Sequence, residues 1–385
     1  MSKDNRLPPG THFMMGNFAL AEGAVAAGCN FVAGYPITPA SEIVNRLSVL
    51  LPPIGGGFLQ TEDEISAICS AIGASWSGAK AMTATSGPGI SLMQENIGFA
   101  AATETPLVIV DVQRMGPSTG VPSVGLAGDV IQVARGSHGD YQIIALSPES
   151  PQEMFDMVIR AFNLAETYRV PVFVMPEAFT GHMREQVVIP DPSEIKLTSR
   201  KISEPGTDPL SRQDFQDPDV AAMPVFGHGF KSHVTSSCHD AHGMRNLSDP
   251  TTMHNFITKP IEKILKHRDD IVETTADYNE GDIVLMAYGS VSRSAKAAAT
   301  IARKEGLNVG TLSLKTLWPL ADREMAAAAQ KASRVIVLEN NTGQLFPYIK
   351  AETAEFCPVD FMGPKILGQI HDPAQVLSFI KEKVS

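Results

Sequence analysis

The sequence predicts an α/β protein with a doubly wound, mostly parallel sheet, an irregular insertion and a second, smaller α/β unit. Three observations carry this. Short apolar runs alternate with helical patterns from residue 14 to about 190. The alternation gives way to polar, proline-bearing sequence from 191 to about 275, and then resumes to Ser385. With 385 residues, the chain has room for two or three domains. The expected divisions are 1–190, 191–275 and 276–385.

In the first region the strands fall at NFVAGYPIT, GFLQ, KAMTATS, PLVIVDV, QIIALSP and VPVFVMPE. Near-continuous apolar character, as from Leu107 to Val112, fits strands covered by helices on both faces, and the intervening stretches are long enough for crossover helices. The insertion opens with SRKISEPGTDPLSRQDFQDPD, passes through a histidine-rich patch and ends in a charged helix near Ile261 to Val272. Strands resume at DIVLMAYGS, NVGTLSL and SRVIVLEN, each followed by a helical stretch. No internal repeat recurs at a fixed period.

Hydrophobic residues make up 43% and charged residues 19%, with 27 prolines and 31 glycines spread along the chain, which is a globular profile. Lys and Arg number 31 against 42 Asp and Glu, a net charge of −11 that repels a phosphate backbone and argues against nucleic-acid binding. No apolar run approaches the ~18 residues of a membrane-spanning helix. The start, MSKDNRLPPG, lacks the apolar core of a signal peptide, so a cytoplasmic protein is expected. Cys29, Cys69, Cys238 and Cys357 are isolated, without a CxxC. That pattern excludes a disulfide scaffold and an iron–sulfur cluster held by this chain alone.

Ligands of an open parallel sheet bind beyond the carboxyl ends of its strands, so the residues just after each strand matter most. In GYPITPASE, Thr38 before Pro39 reads either as a helix N-cap or as a ligand group. In FLQTEDEISAICSAIGAS, Thr61 and Glu64 have the spacing of a capping box. Glu64 also shares a helical face with Ala67, Ile68 and Ala71, and a carboxylate desolvated on such a face has a raised pKa suited to proton exchange with a ligand nitrogen. Glu62 and Asp63 fall elsewhere on the helix, towards solvent. In VDVQRMGPSTGVPS, Arg114 ends an apolar strand and can either grip a carboxylate or close a surface ion pair. SGPG at 86–89 lacks the lysine of a P-loop and reads as a tight strand-to-helix turn. His228, His233, Cys238, His239 and His242 match no standard zinc spacing and read better as loop histidines near a pocket, with no metal site expected. His138, in HGD after Arg135, is either a pocket residue or a polar loop residue.

Together, GYPITPASE, QTEDEISAICSAIGAS, TATSGPGISLM, DVQRMGPSTGVPS and HGD resemble the α subunit of 2-oxoacid:ferredoxin oxidoreductases, most closely the 2-oxoglutarate type. The resemblance continues through RAFNLAETYRVPVF, IVLMAYGSVSRSAK, LKTLWPL and VIVLENNTGQL, and is weakest from 191 to 250. It implies a pyrimidine-binding thiamine diphosphate domain followed by a transketolase-C-terminal-like domain. It also implies that Thr38 and Arg114 hold the 2-oxoacid carboxylate, that Tyr35 and Pro36 line the cofactor, and that Glu64 bonds the aminopyrimidine N1′ of thiamine diphosphate. Such a bond favours the tautomer whose exocyclic nitrogen takes the C2 proton. Arg135, His138, Lys231 and His233 are loose candidates for the cation that meets a second, distal carboxylate.

Family members grip the diphosphate and Mg²⁺ through a GDG-type motif, whereas GD occurs here only in GDV, GDY and GDI. The resemblance therefore implies a β subunit carrying that motif and the iron–sulfur cluster cysteines, an active site at the α/β junction, a separate γ subunit and a possible ferredoxin-like δ subunit. Coenzyme A takes the acyl group and ferredoxin the electrons. The competing readings are the same chemistry on pyruvate or branched-chain 2-oxoacids, a non-catalytic scaffold, and the β subunit of a 2-oxoacid dehydrogenase E1 with lipoamide as acceptor. The joint presence of Thr38, Glu64 and Arg114 speaks against the scaffold, and YPITP against the dehydrogenase.

Overall fold

The apolar runs of the first region become neighbouring strands of one seven-stranded sheet. The computed structural model describes residues 5–203, 220–229, 233–240 and 242–384. In chain order the first region comprises β1 (Gly10–Met15), α1 (Gly16–Ala26), β2 (Phe31–Gly34), α2 (Ser41–Leu50), β3 (Gly57–Gln60), α3 (Glu64–Trp76), β4 (Ala81–Thr85) and α4 (Gly87–Ala102). It continues with β5 (Leu107–Asp111), α5 (Val130–Arg135), β6 (Ile144–Leu146), α6 (Pro151–Tyr168), β7 (Pro171–Val174), α7 (Ala178–His182) and β8 (Arg184–Ile189). After the insertion come α8 (Pro250–Lys266), α9 (Arg268–Ile271), β9 (Thr274–Asp277), β10 (Ile283–Tyr288), α10 (Val291–Lys304), β11 (Val309–Leu314) and β12 (Thr316–Trp318). The chain ends through α11 (Asp322–Lys331), β13 (Arg334–Leu338), α12 (Phe346–Thr353), β14 (Val359–Met362) and α13 (Pro373–Val384).

The large sheet has the order β12-β6-β7-β5-β4-β2-β3, with every pair parallel except β12 against β6. Central strand β5 is buried from end to end, as its unbroken apolar run predicts. Its side chains alternate between two cores: Val108 and Val110 pack with α1, α2 and α6, while Leu107 and Ile109 pack with α3 and α4. Each such aliphatic side chain contributes about 1.5–3 kcal/mol when fully buried. The second sheet has the order β14-β13-β10-β11-β9, parallel apart from β9.

Two pairings go beyond the sequence reading. β1 and β8 form an antiparallel ribbon of their own. β12, from the second unit, adds itself antiparallel to β6 at the edge of the first sheet, and Trp318 Nε1 donates to Val130 O at 3.0 Å. One apolar cluster accordingly runs from Ile109 and Phe173 through Leu317 and Trp318 to Val335 and Val337.

The charged helix read near Ile261 to Val272 begins earlier, at Pro250, because Asp249 caps it through the Thr251 and Thr252 amides, and it breaks at His267 before α9. Residues 195–203 lie back along the first unit, held by a buried Arg200–Glu166 ion pair and by Arg200 donating to Ser75 O and Ala79 O. Among the described residues, no helix is long and apolar enough to cross a membrane.

Candidate active site at the carboxyl ends of the parallel strands

The parallel register of β2, β3, β4 and β5 brings four successive strand-to-helix connections to one edge of the sheet. From β2 come Tyr35, Pro36 and Thr38; from β3, Glu64; from β4, the Ser86–Gly89 turn; and from β5, Asp111 and Arg114. Arg114 and Thr38 meet directly, with Arg114 Nη1 donating to the Thr38 carbonyl at 2.7 Å. Buried Asn17 fixes the next residue, its Nδ2 donating to Pro39 O at 2.8 Å and to Glu42 Oε2 at 3.0 Å.

These bonds correct the reading of Thr38 as an N-cap. α2 starts only at Ser41, with Ala40 before it, since the carbonyls of Thr38 and Pro39 are turned outward to accept from Arg114 and Asn17. The capping box expected between Thr61 and Glu64 is also absent. Thr61 continues the strand, its N–H donating to Gly34 O, and its hydroxyl bonds Asp63 O. The true N-cap of α3 is Asp63, whose Oδ1 accepts from Ser66 N at 2.7 Å, leaving Glu64 as the first helical residue with its side chain free of any capping duty. By contrast, the SGPG segment is the expected tight turn, with Ser86 as N-cap and Pro88 in the first turn of α4.

Glu64 is only 4% exposed and lies against that first turn. A Cβ on Gly89 would sit 2.8 Å from Glu64 Oε1 and 1.9 Å from Thr85 Oγ1, so only glycine fits. Burial pushes the Glu64 carboxyl above its ordinary range; its own backbone N–H and the Arg114 charge oppose that shift, and Asp63 adds to it. Across the same helix end, Asp129 lies over Gly87, where a Cβ would come 2.9 Å from its Oδ2. Burial lowers the Arg114 guanidinium from its usual value, an effect opposed first by Asp129 and then by Glu64. The cationic group thus stands between two acids at the amino end of a helix.

The second unit reaches this edge through the loop after β13. Asn341 Nδ2 donates to Ala127 O at 2.6 Å, Ala127 N donates to Asn340 O at 2.9 Å, and Gln344 Nε2 donates to Gly128 O. Glu177, just before α7, accepts from Ser290 N, Ser290 Oγ and Asn340 Nδ2.

Of the residues singled out by sequence, Thr38, Glu64 and Arg114 converge, and Tyr35 and Pro36 are exposed beside them. Arg135 and His138 lie elsewhere. Ser137 packs on Gly98, roughly 13 Å further along α4 than Gly89 at 1.5 Å per residue. His138 pairs with Glu95 at 3.7 Å beside a cavity of about 250 Å³, whose lining includes Phe99, Tyr141 and Phe256. Arg135 lines a neighbouring cavity with α8 and Trp318. His233 is exposed, and Lys231 lies outside the described residues. No three His, Cys, Asp or Glu side chains converge as metal ligands among the described residues. Sequence reading missed Asn17, Asp111 and Asp129, and gave Gly89 only as part of the SGPG turn, not as the residue that makes room for Glu64. Asp111, a charge ending an otherwise apolar strand, was the one visible signal.

Residues 22–257 match the family described as pyruvate flavodoxin/ferredoxin oxidoreductase, thiamine diphosphate-binding, and residues 281–376 match pyruvate:ferredoxin oxidoreductase core domain II. Over 96% of its length the chain is 47% identical to the 2-oxoglutarate synthase subunit KorA of Methanothermobacter thermautotrophicus, covering 98% of that protein. The ketoisovalerate oxidoreductase subunit VorB of the same organism is 37% identical over 87% of this chain and 88% of its own. Among solved structures, the 2-oxoglutarate:ferredoxin oxidoreductase from Magnetococcus marinus, with 2-oxoglutarate, coenzyme A and succinyl-CoA bound, superposes with a TM-score of 0.90 at 32% identity. That match takes in 98% of this chain, which spans 66% of the solved one.

Proposed function

The chain belongs to the 2-oxoacid:ferredoxin oxidoreductase family, and from that membership we propose that it is the α subunit of a heteromeric enzyme acting on 2-oxoglutarate. The products are succinyl-CoA, carbon dioxide and reduced ferredoxin, with coenzyme A as acyl acceptor. One observation carries the assignment of roles: Arg114, Thr38 and Glu64 share one sheet edge, and Arg114 keeps part of its guanidinium uncommitted there. Arg114 uses Nη1 on Thr38 O, and its buried Nε has no partner among the described residues. A guanidinium so placed can still offer a two-pronged grip to a carboxylate.

Thiamine diphosphate fits the same edge, since Glu64 presents a buried carboxyl with no donor but its own amide among the described residues, over a glycine that keeps the space beside it narrow. When bound, the cofactor supplies the electron sink that decarboxylation of a 2-oxoacid requires. Glu64 holds a proton at the aminopyrimidine N1′, a task suited to a carboxyl whose burial favours its protonated form. Tyr35 and Pro36 flank the cofactor, and Arg114 with the Thr38 segment orients the substrate carboxylate.

Mg²⁺, the diphosphate grip and the iron–sulfur clusters are assigned to a β subunit, because this sequence has no GDG motif and only isolated cysteines. A separate γ subunit, a possible ferredoxin-like δ subunit, free ferredoxin and a cytoplasmic location complete the proposal. Its domains are 1–190, 191–275 and 276–385, with the last boundary falling inside β9. Arg135 and His138 are not carried forward as distal-carboxylate ligands, since the cavities they line contain neither Arg114 nor Glu64. The identity to a ketoisovalerate enzyme subunit supports a branched-chain substrate as the second reading. Reduction of a viologen by the assembled complex, with coenzyme A and each 2-oxoacid in turn, decides between them. The kcat/KM is expected to be highest for 2-oxoglutarate, because a site built to pair the second carboxylate loses that pairing with a monocarboxylate. A higher value for pyruvate or 3-methyl-2-oxobutanoate overturns the assignment.

A further inference from the structure

Behind Arg114 lies an acid that the proposed reaction does not use. Asp111, the last residue of β5, is fully buried, and among the described residues neither of its carboxyl oxygens meets an N–H or O–H donor. A carboxylate buried without donors is costly, whereas a carboxylic acid can spend its own proton on an acceptor. The acceptor is Asp129, whose side chain bonds that of Asp111 and whose Oδ2 is likewise buried without another donor. One proton held between the two carboxyls offsets the cost that two buried, unpartnered carboxylates would carry.

Asp129 cannot swing away from this arrangement. Its carboxyl lies on Gly87 at the amino end of α4, its own N–H donates to Gln113 Oε1 at 3.2 Å, and the carbonyls of Ala127 and Gly128 are pinned by Asn341 and Gln344 of the second unit. The charged group facing the pair is Arg114, with Glu64 beyond it on α3. From the second unit come neutral amides, and Glu177 is already engaged by Ser290 and Asn340.

Resting on the reading of Arg114 as the carboxylate grip, we propose that the Asp111–Asp129 pair couples anion binding at Arg114 to uptake of one proton from solvent. Without a ligand, the single negative charge of the pair is balanced by Arg114. A substrate carboxylate takes over that cation and adds a second negative charge beside the first. Protonation of Asp129 restores neutrality: one O–H bond forms, and nothing on the ligand breaks. Burial already pushes Asp129 to about 6, opposed by its bond with Asp111 and by the Arg114 charge, so at pH 7 it is mostly ionised and able to accept. An anion on Arg114 raises it further, so binding tightens as pH falls from 8 towards 6, by up to about tenfold per unit.

The test is calorimetric titration of the assembled complex with N-oxalylglycine, which keeps both carboxylates of 2-oxoglutarate but presents an amide in place of the ketone. Heats measured at pH 7 in buffers of different ionisation enthalpy give the proton count. Uptake approaching about one proton per site is expected, retained in Glu64→Gln and lost in Asp129→Asn and Asp111→Asn. Zero uptake in the wild-type complex overturns the proposal, even if neither Asn variant folds. Uptake lost in Glu64→Gln but kept in Asp129→Asn moves the proton to Glu64 and also overturns it. Arg114→Gln binding N-oxalylglycine as tightly as wild type refutes the carboxylate-grip reading itself, a result distinct from either.

Discussion

Glu64 and Glu339 both follow a parallel strand, one in each sheet, and are 4% and 0% exposed. Their surroundings differ in donors. Glu339 accepts from Tyr288 OH at 2.7 Å, Leu345 N at 2.9 Å and Phe346 N at 2.7 Å, so its carboxylate closes the turn into α12 and is fully spent. Glu64 has only its own amide, and its neighbours are a glycine, a threonine and a guanidinium with a donor to spare. Burying a carboxylate is costly in either place. In the second unit local hydrogen bonds offset that cost, whereas in the first it is left standing at the strand edge, where a ligand can offset it. The same fold element thus serves structure in one unit and chemistry in the other, and the count of donors tells them apart.

The sharpest way to break this contrast is Glu64→Gln. Since Asp63 rather than Glu64 caps α3, the change leaves the helix start intact, and Gln occupies nearly the same volume. Loss of a carboxyl that exchanges a proton typically costs about 10²- to 10⁴-fold in rate. Deuterium exchange at C2 of thiamine diphosphate bound to the assembled complex, followed by NMR, is expected to slow by that order while subunit assembly is unchanged. Exchange at the wild-type rate would place Glu64 with Glu339 as a structural acid.

Glu339→Gln is the matching test on the other side. An amide there turns its NH₂ either towards Phe346 N or towards Tyr288 OH and Leu345 N, which share Oε2, leaving at least one buried donor unsatisfied. That costs about 1–3 kcal/mol of stability. Chemical denaturation of the variant should show the loss, with C2-proton exchange falling far less than in Glu64→Gln. A large catalytic defect without a stability defect would erase the distinction.

What the sequence made legible follows from the range over which each feature acts. The strand at Leu107–Val112 declares itself through its own apolar run, and once the sheet is parallel, Thr38, Glu64 and Arg114 must gather at one edge whatever the details of their loops. Caps were harder to read, because Thr61 and Asp63 both supply side-chain oxygens near the start of α3 and only the chain path chooses Asp63. Partners distant in sequence left no local trace. Nothing near Asp111 announces Asp129, nothing in the LKTLWPL motif places β12 on the first sheet, and Asn341 holds Ala127 across 214 positions.

The smallest effect expected lies beside the largest. Asp63 and Glu64 are adjacent acids with opposite displacements. The Ser66 N–H holds Asp63 below its ordinary value of 3.8, whereas burial raises Glu64. For Asp63 the sign is that of a group whose charged form is favoured by folding: its contribution to the first turn of α3 is fully present above the unfolded value and fades as pH drops through the lower folded one. Asparagine caps a helix about as well as aspartate and does not titrate in this range. Asp63→Asn should therefore leave the first turn unchanged at pH 7 and remove its sensitivity to acid. Hydrogen-exchange mass spectrometry of residues 64–67, corrected for intrinsic rates, is the measurement. Wild type should lose protection progressively as pH falls below 3.8, and the variant should not. An equal loss in both would mean that another acid governs the turn, and Glu64, rising rather than falling on burial, is the neighbour whose sign forbids it.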